Sequence, residues 1–398
     1  MEWEVYSLTT VTKSVTVEKG KIKIVETKEE RSYAVRVVEN GRIGFATSNR
    51  LGDHLFELAR KMARVSEDRI EGLPDGKKRN VEGLYDPKIE RIDSEWLLES
   101  ATRMISPALD ANVNPSMGYV EVRIETVRIE NSNGVELEEK RSYCEAYLEC
   151  VKENGSGFEF DSCRTSNVDF EFVGRRATEL ALDSVRSKDI EGGFYDVVLS
   201  PIAVHELLSY TLYPAFVAEN VMKGRSPLTE IGRKYFGDLT IIDDGSISYG
   251  LMSFGFDDEG TAPDKTVVFE EGVLRSYITD FKTSKEMNIR PTGNCVRGDD
   301  LYPATAPTNV VLEFEHVGDV DGDIYIHALM GAHTSNPVSG DFSVEALNAY
   351  FKGEPVRSVM ISGNVYELLK KISAFGRDVR QIENTITPSI LFEDLRIV

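Results

Sequence analysis

The chain has 398 residues, 41% hydrophobic and 28% charged; that is more than the roughly 250–300 residues one core supports, and the balance excludes a disordered or fibrous chain. Forty-six Lys and Arg against 67 Asp and Glu leave a net charge of −21, a field that repels nucleic-acid phosphates and anionic lipid head groups. The acidic start "MEWEVYSLTT" has neither the basic flank nor the apolar run of a signal peptide, and no run of membrane-spanning length follows, so the expected location is cytoplasmic. The four cysteines, Cys144, Cys150, Cys163 and Cys295, form no C-x-x-C pair. Cys144 and Cys150 lie about 20 Å apart along one strand-like segment, too far for a disulfide, and all four are expected as reduced thiols.

In chain order, residues 13–49 alternate apolar and polar side chains as half-buried strands do, with Asn40-Gly41 marking a two-residue hairpin. Leu51, Leu55, Leu58, Ala59, Met62 and Val65 then recur at helical spacing, which predicts an amphipathic helix covering one face of that sheet. The stretch "EGLPDGKKRNVEGLYDP" reads as a linker. Asp93 and Ser94 offer N-caps to a helix bearing Leu97, Leu98, Ala101, Met104 and Ile105. A second alternating region runs from Tyr119 to Val151 around Asn133-Gly134, and a helix follows over 173–187. From Tyr195 a short apolar strand, "YDVVL", leads to Ser200-Pro201, an N-cap followed by a proline suited to the first helical position. Beyond Gly224 strands and turns dominate, with helices predicted near 343–351 and 364–374. The expected class is α+β. Residues 1–75 form one α+β subdomain, 76–92 a linker, 93–190 a second α+β subdomain and 191–398 a β-rich domain with a few helices.

The helix after Ser200 carries His205 and Glu206, the opening of the His-Glu motif that holds zinc and activates water in many metalloproteases. A zinc site on one helix needs a second histidine four residues on, or five where the helix bends or ends. Position 209 is Ser and position 210 is Tyr, so the pair alone makes no metal site and reads as polar groups beside the apolar face. Of the other histidines, His327 in an alternating strand and His316 before a Gly-Asp turn read as structural. His333, in "GAHTSNPVSGDFS", sits among glycine and small polar residues, the composition of a loop that a backbone approaches, and reads first as an exposed loop histidine. "DVDGD" at 319–323 lacks the closing acid of a calcium loop and reads as a hairpin turn at Asp321-Gly322, and "FDDEGTAPDKT" could gather metal-binding carboxylates but fits a solvated turn at least as well.

The run "FDDEGTAPDKTVVFEEGVLRSYITDFKTSKEMNIRPTGNCVR", with Gly293, Asn294 and Arg297, resembles the signature block of the TldD/PmbA family. "NPVSGDFSVEALNAYFKGEPVRSVMISGN", with Gly340, Asp341, Phe342 and Ser343, resembles the family's later block. Further likenesses run from "VTVEKGKIKIVETKEERSYAVRV" to "TPSILFEDLRI", so the resemblance spans nearly the whole chain. It implies zinc-dependent hydrolysis of unfolded peptides by the TldD branch, through His-Glu-x-x-x-His and a cysteine near the C-terminus. Here Tyr210 stands where the second histidine would be, and no cysteine follows Cys295. The "SGDFS" block is similar to that of the TldE (PmbA) branch, which implies a chain without its own zinc or other cofactor. Such a chain pairs with a zinc-bearing TldD-like subunit, or with itself when alone, and helps wall the chamber of an ATP-independent protease; the peptide binds there as an added strand. Two other readings stand beside it. One is a self-sufficient metallopeptidase in which His333 or Asp378 joins His205, with Glu206 as base. The other is a protein-binding modulator of DNA gyrase, after the family's older label.

Overall fold

The computed structural model describes residues 1–398. Three strands open the chain: β1 (Glu2–Glu18), β2 (Lys21–Glu39) and β3 (Arg42–Ser48). Asn40 and Gly41 both adopt positive φ, the twist that a tight two-residue turn between β2 and β3 requires. Helix α1 (Asp53–Val65) lies on β3 through Leu55, Ala59 and Ala63. A Cβ at Gly44 would stand 1.8 Å from the Ala59 carbonyl oxygen, so helix and sheet approach too closely for large side chains. Consequently the expected apolar stripe is only partly right: Leu51, Leu58, Met62 and Val65 are exposed.

After a short helix α2 (Pro87–Glu90), α3 (Ser94–Asp110) is capped by Asp93, whose carboxylate accepts from Trp96 N–H at 2.9 Å. Strands β4 (Asn114–Asn131), β5 (Glu136–Lys152) and β6 (Gly155–Cys163) follow, then α4 (Phe170–Val185). Because β1 pairs with β4 over most of its length, all six strands form one sheet, in order β3-β2-β1-β4-β5-β6. Helices α3 and α4 bury Leu97, Ala101, Met104, Val173 and Ala177 against it. Residues 77–82 run as a strap on the signature loop: the Lys77 and Arg79 N–H groups donate to the Gly260 and Gly255 carbonyls, each at 2.8 Å, and the Glu82 carbonyl accepts from Tyr249 N–H. All four cysteines are free.

The remainder begins with β7 (Lys188–Asp189), β8 (Gly193–Leu199), α5 (Pro201–Thr211) and α6 (Ala218–Met222). A mixed sheet then uses β9 (Thr240–Asp244), β10 (Lys265–Glu270) and β11 (Val273–Leu274). Helix α7 (Phe281–Met287), the pair β12 (Cys295–Arg297) and β13 (Pro303–Thr305), and β14 (Val310–Glu313) follow. Next come β15 (Ile324–Met330), β16 (Asp341–Phe351), β17 (Glu354–Arg357) and β18 (Met360–Asn364). The single turn α8 (Val365–Leu368) precedes β19 (Ile372–Phe375), the hairpin β20 (Arg380–Ile382) and β21 (Thr385–Thr387), and β22 (Ile390–Ile397).

Strands β15, β8, β22, β18 and β16 pair in that order, and β16 returns to β15, so the five close on themselves. The second sheet runs β11-β10-β9-β14-β21-β20. Between them lies the main core of 42 buried apolar residues.

Three expectations fail here. Residues 343–351 are strand, because β16 is held by β18 on one side and β15 on the other. The helix over 364–374 shrinks to one turn and a 3₁₀ segment before β19. Asp321-Gly322 is no hairpin turn: it lies on the passage from β14 in one sheet to β15 in the other.

Candidate functional site

Helix α5 starts where β8 ends. The Ser200 hydroxyl accepts from Ala203 N–H at 3.2 Å and donates to the His327 carbonyl, tying the helix start to β15. One turn on, His205 is 8% exposed and all of its polar reach is engaged. Nδ1 lies 2.9 Å from Thr385 Oγ and 3.2 Å from Ser209 Oγ; Nε2 lies 3.4 Å from a Glu383 carboxylate oxygen. The β20–β21 hairpin supplies both outside partners: Ile382 pairs with Thr385, leaving Glu383-Asn384 as its two-residue tip.

Glu206 turns to the opposite wall, where its carboxylate accepts from Leu329 N–H at the end of β15. Burial pushes its acid up to about 7, and the Glu383 charge adds to that against the stabilising Leu329 N–H. Glu383 itself is held below its ordinary range, chiefly by its contact with His205. Past β15, Gly331 turns the chain into a short 3₁₀ segment that carries His333, whose ring meets that of Tyr210 edge-on at 6.4 Å. Tyr210 is 47% exposed. Together these groups line an open cavity of about 420 Å³, closed on its apolar side by Phe160, Ile202, Leu329 and Ile382.

The relationships of the chain bear on how this cleft is read. In order, residues 3–66 match domain 1, residues 85–185 the central domain and residues 192–398 the C-terminal domain of the PmbA/TldA metallopeptidases. The chain belongs to the PmbA/TldA metallopeptidase family. It is 36% identical to the uncharacterized protein MJ0231 of Methanocaldococcus jannaschii, over 98% of this chain and 95% of that one. Its fold matches TldE from Thermococcus kodakarensis with a TM-score of 0.89 at 27% identity, covering 100% of this chain and 96% of that one. It also matches a Thermotoga maritima protein proposed to modulate a DNA gyrase, with a TM-score of 0.90 at 26% identity and the same coverages.

The metallopeptidase family raises the question of zinc, and the residues present do not fit it. No group of three His, Cys, Asp or Glu side chains converges to hold a metal ion. Both ring nitrogens of His205 already face hydroxyls and a carboxylate, and the next helical positions on its face present a serine and a tyrosine, poor zinc ligands. Asp378, weighed in the sequence as a third ligand, instead accepts from the Ser389 N–H and hydroxyl at 3.0 and 2.6 Å. His333 shares the cleft but meets Tyr210, and buried His327 accompanies the Phe158 carbonyl at 3.2 Å.

In this family member the other motif residues lie elsewhere and do different work. Gly293 has φ 72°, and a Cβ there would reach within 2.5 Å of the Ala262 carbonyl oxygen. The Asn294 amide donates to Asp243 at 2.7 Å and to the Ala306 carbonyl at 3.1 Å, while its oxygen accepts from Thr292. Arg297 Nη2 donates to Glu4 at 2.5 Å, and Nε and Nη1 donate to the Asp258 and Leu301 carbonyls. Arg36 bridges the other Glu4 oxygen at 2.7 Å and Glu259 at 3.1 Å. The signature block is therefore the buried ionic seam that fixes the six-stranded sheet to the C-terminal half. "FDDEGTAPDKT" is correspondingly buried rather than solvated: Asp257 accepts from the Glu259, Thr261 and Cys295 N–H groups.

The later block is a strand pairing. Asp341 pairs with Asn364, Phe342 with Gly363 and Ser343 with Ser362. Gly340, with φ 80°, turns the chain into β16. Asp341 is held below its usual range by hydrogen bonds from Asn364 and Ser339. Phe342 enters the core, and Ser343 faces solvent.

Sequence reasoning missed Ser209, Glu383 and Thr385 as partners of His205. Ser209 had a signal, four residues on along one helical face. Glu383 and Thr385 had none, lying about 180 residues away.

Proposed function

We propose that this chain is the TldE-type subunit of a TldD/TldE-type ATP-independent metallopeptidase assembly, holding no zinc of its own. A zinc-bearing TldD-like partner performs the peptide hydrolysis, and this chain helps enclose the chamber. The observation that carries the reading is the side-chain set around His205. Tyr210 takes the place of a second histidine, no cysteine follows Cys295, and hydroxyls and Glu383 occupy the space around the imidazole where further ligands would be needed. One imidazole forfeits most of the roughly 10–16 kcal/mol that a full structural ligand set provides. The whole-chain fold likeness to a TldE supports the assignment to that branch.

The test is co-expression with a TldD-type chain bearing an intact His-Glu-x-x-x-His. A stable complex whose chelator-sensitive peptidase activity survives His205→Ala here, and is lost when the partner's histidines are replaced, is the expected result. Chelator-sensitive peptide hydrolysis by this chain alone would overturn the reading.

A further inference from the structure

We propose that the cleft holds a metal-independent acyl-transfer relay, Ser209–His205–Glu383, with Ser209 Oγ as the nucleophile. This goes beyond the subunit role, since a chain without zinc can still carry a side-chain nucleophile. The three groups stand in the order such a relay needs: Ser209 Oγ 3.2 Å from Nδ1 of His205, and Glu383 3.4 Å from Nε2 on the far side of the ring. A carboxylate facing Nε2 holds the proton on that nitrogen and leaves Nδ1 as the acceptor, the arrangement a general base requires. The two ring nitrogens exchange the roles they take in most serine hydrolases, but the logic of nucleophile, base and orienting carboxylate is the same.

Helix α5 sets the first contact. Ser209 lies four residues after His205 on one face, half-buried and lining the cavity, while His205 is almost fully buried. The base is thus shielded and the nucleophile reachable. Thr385 Oγ, 2.9 Å from the same Nδ1, competes with Ser209 for that lone pair. Thr385 is itself fully buried and lies 2.8 Å from Tyr213 Oη. From the same position the Thr385 hydroxyl also reaches Asn384 Oδ1 at 3.3 Å, and with its hydrogen turned that way it leaves the Nδ1 lone pair to the Ser209 hydroxyl.

The step balances with an ester and water. Ser209 Oγ attacks the acyl carbon as its proton passes to Nδ1; the carbon–oxygen bond to the leaving alcohol breaks, and that alcohol takes the proton from the imidazolium. Water, deprotonated by Nδ1, then releases the acid and restores Ser209. A cavity of about 420 Å³ lined by Phe160, Ile202, Leu329 and Ile382 together with the carboxyl groups of Glu206 and Glu383 takes a short acyl chain that is neutral or cationic. Anionic acyl groups are repelled.

The test uses the full chain with an alkyl fluorophosphonate and with p-nitrophenyl butyrate, both in excess EDTA. Expected are one covalent adduct per chain, mapped to Ser209 by peptide mass spectrometry, and ester hydrolysis that EDTA leaves unchanged. Ser209→Ala abolishes both, and His205→Asn slows labelling at least tenfold. Glu383→Gln slows labelling about tenfold, while Glu383→Asp restores part of the rate. Because Glu383 sits on an exposed hairpin tip, its variants retain the wild-type melting temperature, which separates a positioning role from misfolding. No adduct at Ser209, or labelling at equal rates in wild type and the folded Glu383→Gln variant, overturns the relay. Labelling of the lone chain leaves the pairing with a TldD-type subunit to be decided by the co-expression experiment.

Discussion

Replacing Glu4 with Gln probes the seam that joins the two halves of the molecule. Glu4 is 1% exposed and neutralises two arginines at once, Arg36 at 2.7 Å and Arg297 at 2.5 Å, whose side chains are 3% and 1% exposed. Glu259 serves Arg36 as a second carboxylate. Once Glu4 is neutral, Arg297 keeps the Asp258 and Leu301 carbonyls and the face of the Tyr6 ring 4.8 Å away, but loses its ion pair. One buried cation is then without a paired carboxylate, and breaking a buried ion pair from one side costs about 3–5 kcal/mol. With a urea dependence of about 3 kcal/mol per molar, the unfolding midpoint falls by about 1–1.7 M. Removing the cation as well, in Glu4→Gln/Arg297→Met, leaves Arg36 balanced by Glu259, so the double variant is destabilised by less than the sum of the singles. The assay is urea unfolding followed by tryptophan fluorescence, with Trp3 on the sheet beside Glu4 as reporter. A loss under about 1 kcal/mol for the single variant, or simple additivity in the pair, refutes the seam as described.

Three further outcomes follow from the same geometry. Glu206→Gln stabilises the protein at pH 8 and has little effect near pH 4. The folded acid titrates near 7 rather than 4.5, so its stabilising contribution is complete below the unfolded value and is lost as pH rises through 7. The full gap corresponds to about 3 kcal/mol, and about 1–2 kcal/mol is expected at this half-buried position, read as a pH-dependent difference in urea midpoints. Gly44→Ala forces its Cβ to within 1.8 Å of the Ala59 carbonyl oxygen and lowers stability by at least about 2 kcal/mol, whereas Gly224→Ala, with no neighbour within 4 Å, loses only what its φ of 67° costs, about 1 kcal/mol. Asp341→Ala unhooks Asn364 and Ser339 from the start of β16; being exposed, it leaves the melting temperature nearly unchanged while increasing hydrogen exchange at the Gly340–Ser343 amides.

The N-terminal sheet was legible because its signals are local. Asn40-Gly41 and Asn133-Gly134 both sit in hairpin connections, and Asp93 and Ser200 both cap helices. What fails is settled by distant pairing. In β16 the buried row begins by alternating through Phe342, Val344 and Ala346, then passes to Ala349 across Asn348, which has φ 54°. That three-residue step imitates a helix, and only the flanking strands decide otherwise. Likewise α1 offered two apolar rows, and the choice between them depends on Gly44 in another element. At the site, the local half was readable: His205, Glu206, Tyr210 and the departure from a zinc motif all lie on one helix. The other half, Glu383 and Thr385, arrives on a hairpin of the second sheet, and His333 arrives on the loop after β15. No spacing rule connects residues that meet only through the packing of two sheets.

The most direct measurement is the zinc content, by elemental mass spectrometry, of the complex co-purified with a TldD-type chain, compared with this chain alone. The account predicts one zinc per heterodimer, unchanged by His205→Ala in this chain, and none retained by the lone chain. Stoichiometric zinc in the lone chain that disappears with His205→Ala would contradict it.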